Sequence, residues 1–565
     1  LEEITAARLQ GAEVIVFPEL CVSGYLLGDR WEHDAFLRDI EDANEQIREV
    51  STGITVIWGS VKVDWNKIGE DGRVRKYNAA MIASKGEWIS NGILTGWMPK
   101  TNLPKYRMFD DARHFYPATK LAVEMKRMGS RFFKPFPVKC ASGFVLVALT
   151  VCEDLWDDEY NTKPAELYGD DAGLIIDLSC SPWTENKRLA RERMLMRRAK
   201  ESDTPILYVA SVGLQNNGKN LVWFDGGSTL VDQTGVFRWW SRDNVASSEI
   251  VDVFRPRPMA RPNILTGIRE KKAVVIHAMR EYLASFKRVV VGLSGGIDSA
   301  VSAALLVEAL GPERVFTINM PTRYNSNTTK DLAQKCAENL GVEYLVVPIQ
   351  NLYEEHVAVL SGLGYTEVPM LVHENVQARI RGAGILAMIA SAEGGVFSCN
   401  GNKTEIALGY ATLYGDCAGV AAFLGDFWKG EVYELAHLIN EEAGREVIRE
   451  GIIDIVRAAE VSDAHDVEAG KGDPIHYPYH DKLLKAFLEA RRSPVWVLER
   501  LTEGNLEEAL GCEQGVITDH FTTPDAFLED LEWVWRQLHG SAFKRVQAPP
   551  ILITSRRAFG FDHRD

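Results

Sequence analysis

The chain has 565 residues, too many for one compact core, and a composition of 46% hydrophobic and 25% charged residues that is ordinary for globular domains, so two or three domains are expected. Lys and Arg number 63 against 79 Asp and Glu, a formal charge of −16 without a long basic run, which excludes nucleic acid as the main partner but leaves room for a local basic pocket around a phosphorylated metabolite. Eight scattered cysteines without a C-x-x-C pair, and no apolar run near the ~18 residues of a membrane span, argue against a disulfide scaffold and against a helical membrane protein, and predict a reducing, cytoplasmic setting.

The chain opens within a helix-like pattern, "LEEITAARLQGAEVIVFPEL", ahead of which a first strand and its connection are expected. Short β-rich runs follow, "AEVIVF", "ITVIWGSV" and "FVLVALTVC", alternating with turns and helical patterns such as "KRLARERMLMRRAKES". This alternation predicts a layered α/β domain over 1–251. The proline- and arginine-rich stretch "DVFRPRPMARPN" predicts an extended connector over 252–263. From 264 to 565 the pattern changes: a helix "IREKKAVVIHAMREYLASF", a strand "RVVVGL", a helix "DSAVSAALLVEALG" closed by glycine, and further buried strands "RVFTINM" and "EYLVVPI" with the helix "TTKDLAQKCAENLG" between them. Strand, helix, strand in this order predicts a doubly wound parallel sheet, with ligands beyond the carboxyl ends of its strands.

The turn in "VVVGLSGGIDSAVSAALLVEAL" lies at such an end. Backbone N–H groups and a helix start together make an anion site, and Gly295 and Gly296 let the anion approach. The lysine of a Walker-type loop is missing; "SGGIDS" offers hydroxyls, amides and the Asp298 carboxylate, which beside a triphosphate implies Mg²⁺. The loop resembles the SGGxDS pyrophosphate-binding motif of the ATP pyrophosphatases. Further on, "ENVQARIRG", "GNKTEIALGYATLYGD", "GDFWKGEVYELA", "GDPIHYPYHDKLLKAF" and "FKRVQAPPILITSR" resemble, in order, the segments of NAD synthetases. The resemblance implies ATP contacts at Gly292, Ser294, Gly295, Gly296, Asp298, Ser299, Asn400 and Lys429, Mg²⁺ on Asp298 and Glu405, and the dinucleotide acceptor, deamido-NAD, near Asn375, Glu405 and Lys544. Taken singly, Lys429 and Lys544 also read as solvated surface charges, and Glu405 as one half of a helical charge pair. Two positions depart from the family pattern around the adenosine: Asn400 stands where threonine is usual, and "RAAEV" from Arg457 replaces Pro-Ser-Ala-Glu-Leu.

Amidating a carboxylate requires nitrogen, and free ammonia is mostly protonated at neutral pH. A domain that cuts ammonia from glutamine meets that need. In the first half, "VIVFPELCVSGY" puts Glu19 at a strand end, "WMPKTNLPKYRMFDDARHF" puts Lys100 before a turn, and "LTVCEDLW" puts Cys152 at another strand end. A carboxylate to take the thiol proton, a thiolate to attack and an ammonium to steady the oxyanion make an amide-cleaving site. The trio resembles the Glu-Lys-Cys set of the nitrilase superfamily, and its context, with "FDGGSTLVDQTGVF", resembles the glutaminase domain of glutamine-dependent NAD synthetases. Cys21 and Cys180 also lie near strand ends, and Lys105 competes with Lys100; the family context favours Cys152, in "CEDLW", and Lys100, ahead of a Leu-Pro pair. Tyr106, Ser181 and Lys187 match the glutamine pocket; Ser179 competes with Ser181, which directly precedes Pro182.

As a whole the sequence resembles the glutamine-dependent NAD synthetases. The resemblance implies an α/β protein, with an N-terminal α-β-β-α nitrilase-like sandwich followed by a doubly wound parallel-sheet domain like those of the adenine nucleotide alpha hydrolases. It implies hydrolysis of glutamine, ATP-driven adenylation of deamido-NAD, amidation to NAD, an enclosed route for ammonia, and a homo-oligomer, with no nucleic-acid or membrane partner. Two alternatives stay open: another glutamine-fed adenylating amidotransferase with a different acceptor, or a non-catalytic relative that senses nucleotide.

Overall fold

A computed structural model describes residues 1–69, 72–256, 259–365, 367–455, 459–462, 472–560 and 563. It divides into two compact units, residues 1–217 with 222–265, and residues 266–565 with 218–221.

The first unit is built on two sheets. One takes β1 (Val14–Val16), β2 (Thr55–Ile68), β3 (Val74–Ser84) and β4 (Glu87–Trp88) in that order, with β5 (Trp97–Pro99) also paired to β3. The other contains β6 (Phe136–Cys140), β7 (Gly143–Val151), β8 (Leu174–Ser179) and β9 (Ile206–Ala210), and, beyond a hairpin of β10 (Val212–Asn216) and β11 (Asn220–Asp225), β12 (Thr229–Val231) and β13 (Phe237–Trp240). Its spatial order is β13-β12-β9-β8-β7-β6, with β7, β8 and β9 parallel. Alternation along β2 divides its side chains between two cores. Val56 and Trp58 pack with Ile4 and Ala7 of the helix Glu2–Leu9, while Ile57 packs with Val147, Leu149 and Ile176 of the opposite sheet. Met194, Leu195 and Ala199 of the helix Lys187–Glu201 cover that second sheet, completing a helix, sheet, sheet, helix order. This is the expected sandwich.

The second unit carries a parallel sheet of β14 (Val289–Gly292), β15 (Val315–Asn319), β16 (Glu343–Val346) and β17 (Val396–Phe397), in the order β16-β15-β14-β17. The helices Ile297–Leu310 and Asn327–Leu340 make the crossovers, as the sequence pattern predicts. Val290, Phe316 and Ile318 pack against Ile380, Ile385 and Leu386. The expectation that "EYLVVPI" forms a buried strand is overturned: β16 is the edge of the sheet, with Leu345 44% and Val346 47% exposed. A short apolar run reads alike whether its second face is covered or open. A separate helical core, with Leu483, Leu484, Val497, Phe527 and Leu531, packs on Ile406 and Leu408 and so anchors the helix Lys403–Leu408. No helix among the described residues is long and apolar enough to cross a membrane.

Candidate active sites

In the first unit, three segments converge on one buried cluster of charge. Glu19 follows β1, and its neighbour Leu20 is held at φ +48°. The segment lies so close to β2 that a Cβ at Gly59 would stand 2.4 Å from the Glu19 Cα, a spacing only glycine allows. Lys100 directly follows β5, and its Nζ lies 2.7 Å from Glu19 Oε1 and 2.7 Å from Asp111 Oδ2. Asn78 Nδ2 donates to Glu19 Oε1 at 2.7 Å and the Cys180 N–H donates to Glu19 Oε2 at 2.8 Å. Burial alone would lower the Lys100 ammonium, but Asp111 and Glu19 more than reverse this and hold it well above its ordinary range.

Cys152 stands immediately after β7, at φ +49°, in a sharp strand-to-helix corner. A non-glycine residue in this region stores strain and is typical of nucleophile-bearing turns. Burial, then the charge of Glu19, pushes its thiol well above the usual range, with Lys100 opposing. Such a thiol is neutral at rest and needs a base at the moment of attack. Of the competing cysteines, Cys180 is buried and touches the cluster through its backbone, whereas Cys21 is exposed and its Sγ donates to the Gly59 carbonyl at 3.4 Å.

Around this cluster, the Tyr106 hydroxyl donates to Glu153 at 3.1 Å and Tyr160 donates to the same carboxylate at 3.2 Å. Lys187, at the start of its helix, sits 4.2 Å over the Trp156 ring, and burial pushes its ammonium down to about 8. Ser181 is buried just after β8, whereas Ser179 is the last residue of β8 and donates to Asp177 at 2.9 Å. Sequence reasoning assigned no role to Asp111, Asn78 or Glu153. Two of them lie within motifs already singled out, "FDDARHF" and "CEDLW", so the signal was position inside a motif rather than residue type.

In the second unit, β14 runs into the turn 293–296 and the helix Ile297–Leu310. The Ser294 and Ser299 hydroxyls lie 3.2 Å apart, and Ser294 Oγ accepts the Gly296 N–H at 3.2 Å, so the turn is preorganised by its own side chains. Asp298 Oδ2 pairs with Lys429 Nζ at 2.5 Å, Glu405 Oε1 lies 3.2 Å from the same ammonium, and Asn402 Nδ2 donates to Asp298 Oδ1 at 2.8 Å. Burial, then repulsion from Asp298, raises the Glu405 carboxyl to about 7, with Lys429 opposing.

Ser294, Gly296, Asp298, Ser299, Glu405 and Lys429 border one cavity of about 440 Å³, which Gly292, Gly295, Asn375, Asn400 and Lys544 also line. Asn400 Nδ2 donates to the Gly292 carbonyl at 3.3 Å, and Asn375 accepts the Thr412 hydroxyl at 2.7 Å. Lys544 Nζ donates to the Gly409 and Ala411 carbonyls, each at 2.7 Å, so it is not a solvated surface charge. Arg457 lies outside the described residues. Among the described residues no group of three or more His, Cys, Asp or Glu could hold a metal ion. Asp298 and Glu405 are hard oxygen donors on one side of the cavity, the donor type that a divalent cation would take.

Comparison with known proteins matches the two units separately and the chain as a whole. A carbon-nitrogen hydrolase family model matches residues 1–243, and an NAD synthase family model matches residues 270–506. The chain is 31% identical to the glutamine-dependent NAD(+) synthetase of Xylella fastidiosa, with 98% of this chain and 92% of that protein covered. It is 30% identical to the protein of the same name from Xanthomonas campestris pv. campestris, covering 100% of this chain and 92% of the relative. Among solved structures, the glutamine-dependent NAD+ synthetase of Acinetobacter baumannii in complex with ADP superposes with a TM-score of 0.69 at 25% identity, covering 100% of this chain and 95% of that one.

Proposed function

The chain belongs to the glutamine-dependent NAD(+) synthetases, and from that membership we propose which residues carry each step of the reaction. Glutamine is hydrolysed in the first unit, and ATP drives the amidation of deamido-NAD in the second.

In the first unit, Glu19 takes the Cys152 proton as the thiolate attacks the side-chain amide of glutamine. Lys100 stabilises the oxyanion, and the C–N bond breaks as Glu19 returns the proton to the departing ammonia. Water, deprotonated by Glu19, then cleaves the thioester to release glutamate and restore the thiol. Tyr106, Ser181 and Lys187 hold the amino-acid end of glutamine, with Lys187 facing its carboxylate.

In the second unit, a nicotinate carboxylate oxygen attacks the α-phosphorus of ATP and pyrophosphate leaves. Ammonia then attacks the acyl carbon, AMP departs, and one proton is lost to give NAD. Ser294, Gly295, Gly296 and Ser299 present hydroxyls and N–H groups to the phosphates, and Lys429 neutralises their charge. Gly292 and Asn400 border the nucleotide, while Asn375, Glu405 and Lys544 hold the acceptor. Asp298 and Glu405 would hold Mg²⁺, which when bound supplies further charge neutralisation for the departing pyrophosphate.

The observation that carries this reading is the buried Glu19–Lys100 pair beside a cysteine in a strained corner, in one chain with a phosphate-type loop lining a cavity. A homo-oligomer belongs to the same reading: Val359, Leu363 and Leu371, 63%, 70% and 66% exposed, join Leu345 and Val346 in supporting it. Eight unpaired cysteines support a cytoplasmic setting. The test is NAD formation from deamido-NAD and ATP by the unmodified protein and by Cys152→Ala, each with glutamine or ammonium chloride. Loss of only the glutamine-driven reaction is expected. A Cys152→Ala variant that still uses glutamine overturns the assignment of the nucleophile.

A further inference from the structure

The motif "GDPIHYPYHDKLLKAF" contributes none of the residues assigned above, yet it sets a buried carboxylate against the helix that begins at Lys429. Asp481, on the helix Tyr477–Leu488, is 6% exposed. Its Oδ1 accepts the Thr404 hydroxyl at 2.5 Å, and its Oδ2 accepts the Gly430 N–H at 2.8 Å. Thr404 is itself fully buried, and its Oγ1 accepts the Lys429 N–H at 3.1 Å.

Three segments are tied together at this point: the helix Lys403–Leu408 that bears Glu405, the helix Lys429–Ala443, and the helix Tyr477–Leu488. The two donors satisfied, Lys429 N–H and Gly430 N–H, open a 15-residue helix and would otherwise lack partners. A negative charge there is also favoured by the helix dipole. The clamp thus fixes the backbone from which Lys429 reaches Asp298 and Glu405, although Asp481 itself does not border the cavity.

We propose that Asp481 is a positioning residue of the synthetase reaction: through Thr404 and Gly430 it sets where the Lys429 ammonium meets the phosphates of ATP. The inference rests on the reading in which Lys429 holds ATP phosphate.

The experiment is a double-mutant cycle on ammonium-driven NAD formation, using the full chain with Asp481→Asn, Lys429→Met and both together, and melting temperature as the folding control. Asp481→Asn should lower kcat/KM for ATP roughly tenfold while the KM for deamido-NAD stays within about twofold. In the Lys429→Met background the same change should cost less than about twofold, because the residue through which Asp481 acts is gone. Thr404→Val should reproduce the loss and Thr404→Ser should not, and this pair carries the test should Asp481→Asn fold poorly. Losses that multiply in the double variant, or an acceptor KM that moves as much as that for ATP, overturn the proposal. If Lys429→Met leaves ATP kinetics unchanged, it is the phosphate-site reading that fails.

Discussion

The Lys100 ammonium lies 2.7 Å from the Glu19 carboxylate, with both side chains at most 1% exposed. Burying two such charges is tolerable only while each has its partner. Lys100 also faces Asp111 at 2.7 Å, so removing the ammonium strands two carboxylates, whereas neutralising Glu19 leaves Lys100 still paired. Lys100→Met should therefore lower the unfolding free energy by about 3–5 kcal/mol, the usual cost of breaking a buried pair. Glu19→Gln should cost clearly less, with glutamine hydrolysis lost in both. Denaturant unfolding decides: a Lys100→Met variant as stable as Glu19→Gln would mean that the ammonium does not neutralise this cluster.

Lys187 supplies a pH dependence with a definite sign. Burial pushes its ammonium down to about 8, against the opposing pull of Cys152 and Glu153. The cation is present below that value and lost above it, so its hold on the glutamine carboxylate weakens as pH rises through about 8. The KM for glutamine should climb between pH 7 and pH 9, whereas in Lys187→Arg, whose guanidinium stays charged, the climb should vanish. A climb of equal size in Lys187→Arg would assign the titration to another group.

A linear pattern encodes where strands end, not which side chains meet there. Glu19, Lys100 and Cys152 each end or follow a strand, and strand ends are visible as apolar runs stopped by polar residues; their meeting was legible once the motif context was added. Asp111 and Glu153 sit inside the same quoted stretches, but their partners Tyr25, Tyr106 and Tyr160 arrive from other segments, and only the fold reveals those pairings. The same holds for Asp481, whose hydrogen-bond partner Thr404 lies 77 positions away. The edge position of β16 has a different cause: an apolar run in a strand of four residues reads alike whether its second face is covered or open.

Gly295 offers the sharpest test of the phosphate turn. Its φ is +92°, and a Cβ there would stand 2.2 Å from the Thr329 carbonyl oxygen and 2.9 Å from its carbon. The obstacle is backbone, and it cannot step aside: the Thr329 N–H is held by the Ser326 cap at 3.1 Å, and its hydroxyl by Glu460 at 2.6 Å. Gly295→Ala should thus displace the turn, destabilising the protein by about 1–3 kcal/mol for the backbone strain alone and ending ammonium-driven NAD formation. Gly296 differs: its φ is −90°, and the nearest atom to a Cβ is the Ser294 Oγ at 3.4 Å, an ordinary contact distance. Gly296→Ala should melt near the unmodified protein, so any loss of activity it shows reports on the approach of the phosphate rather than on folding. Equal melting temperatures for the two variants would mean that the contact between the turn and the Thr329 backbone yields more easily than its two anchors allow.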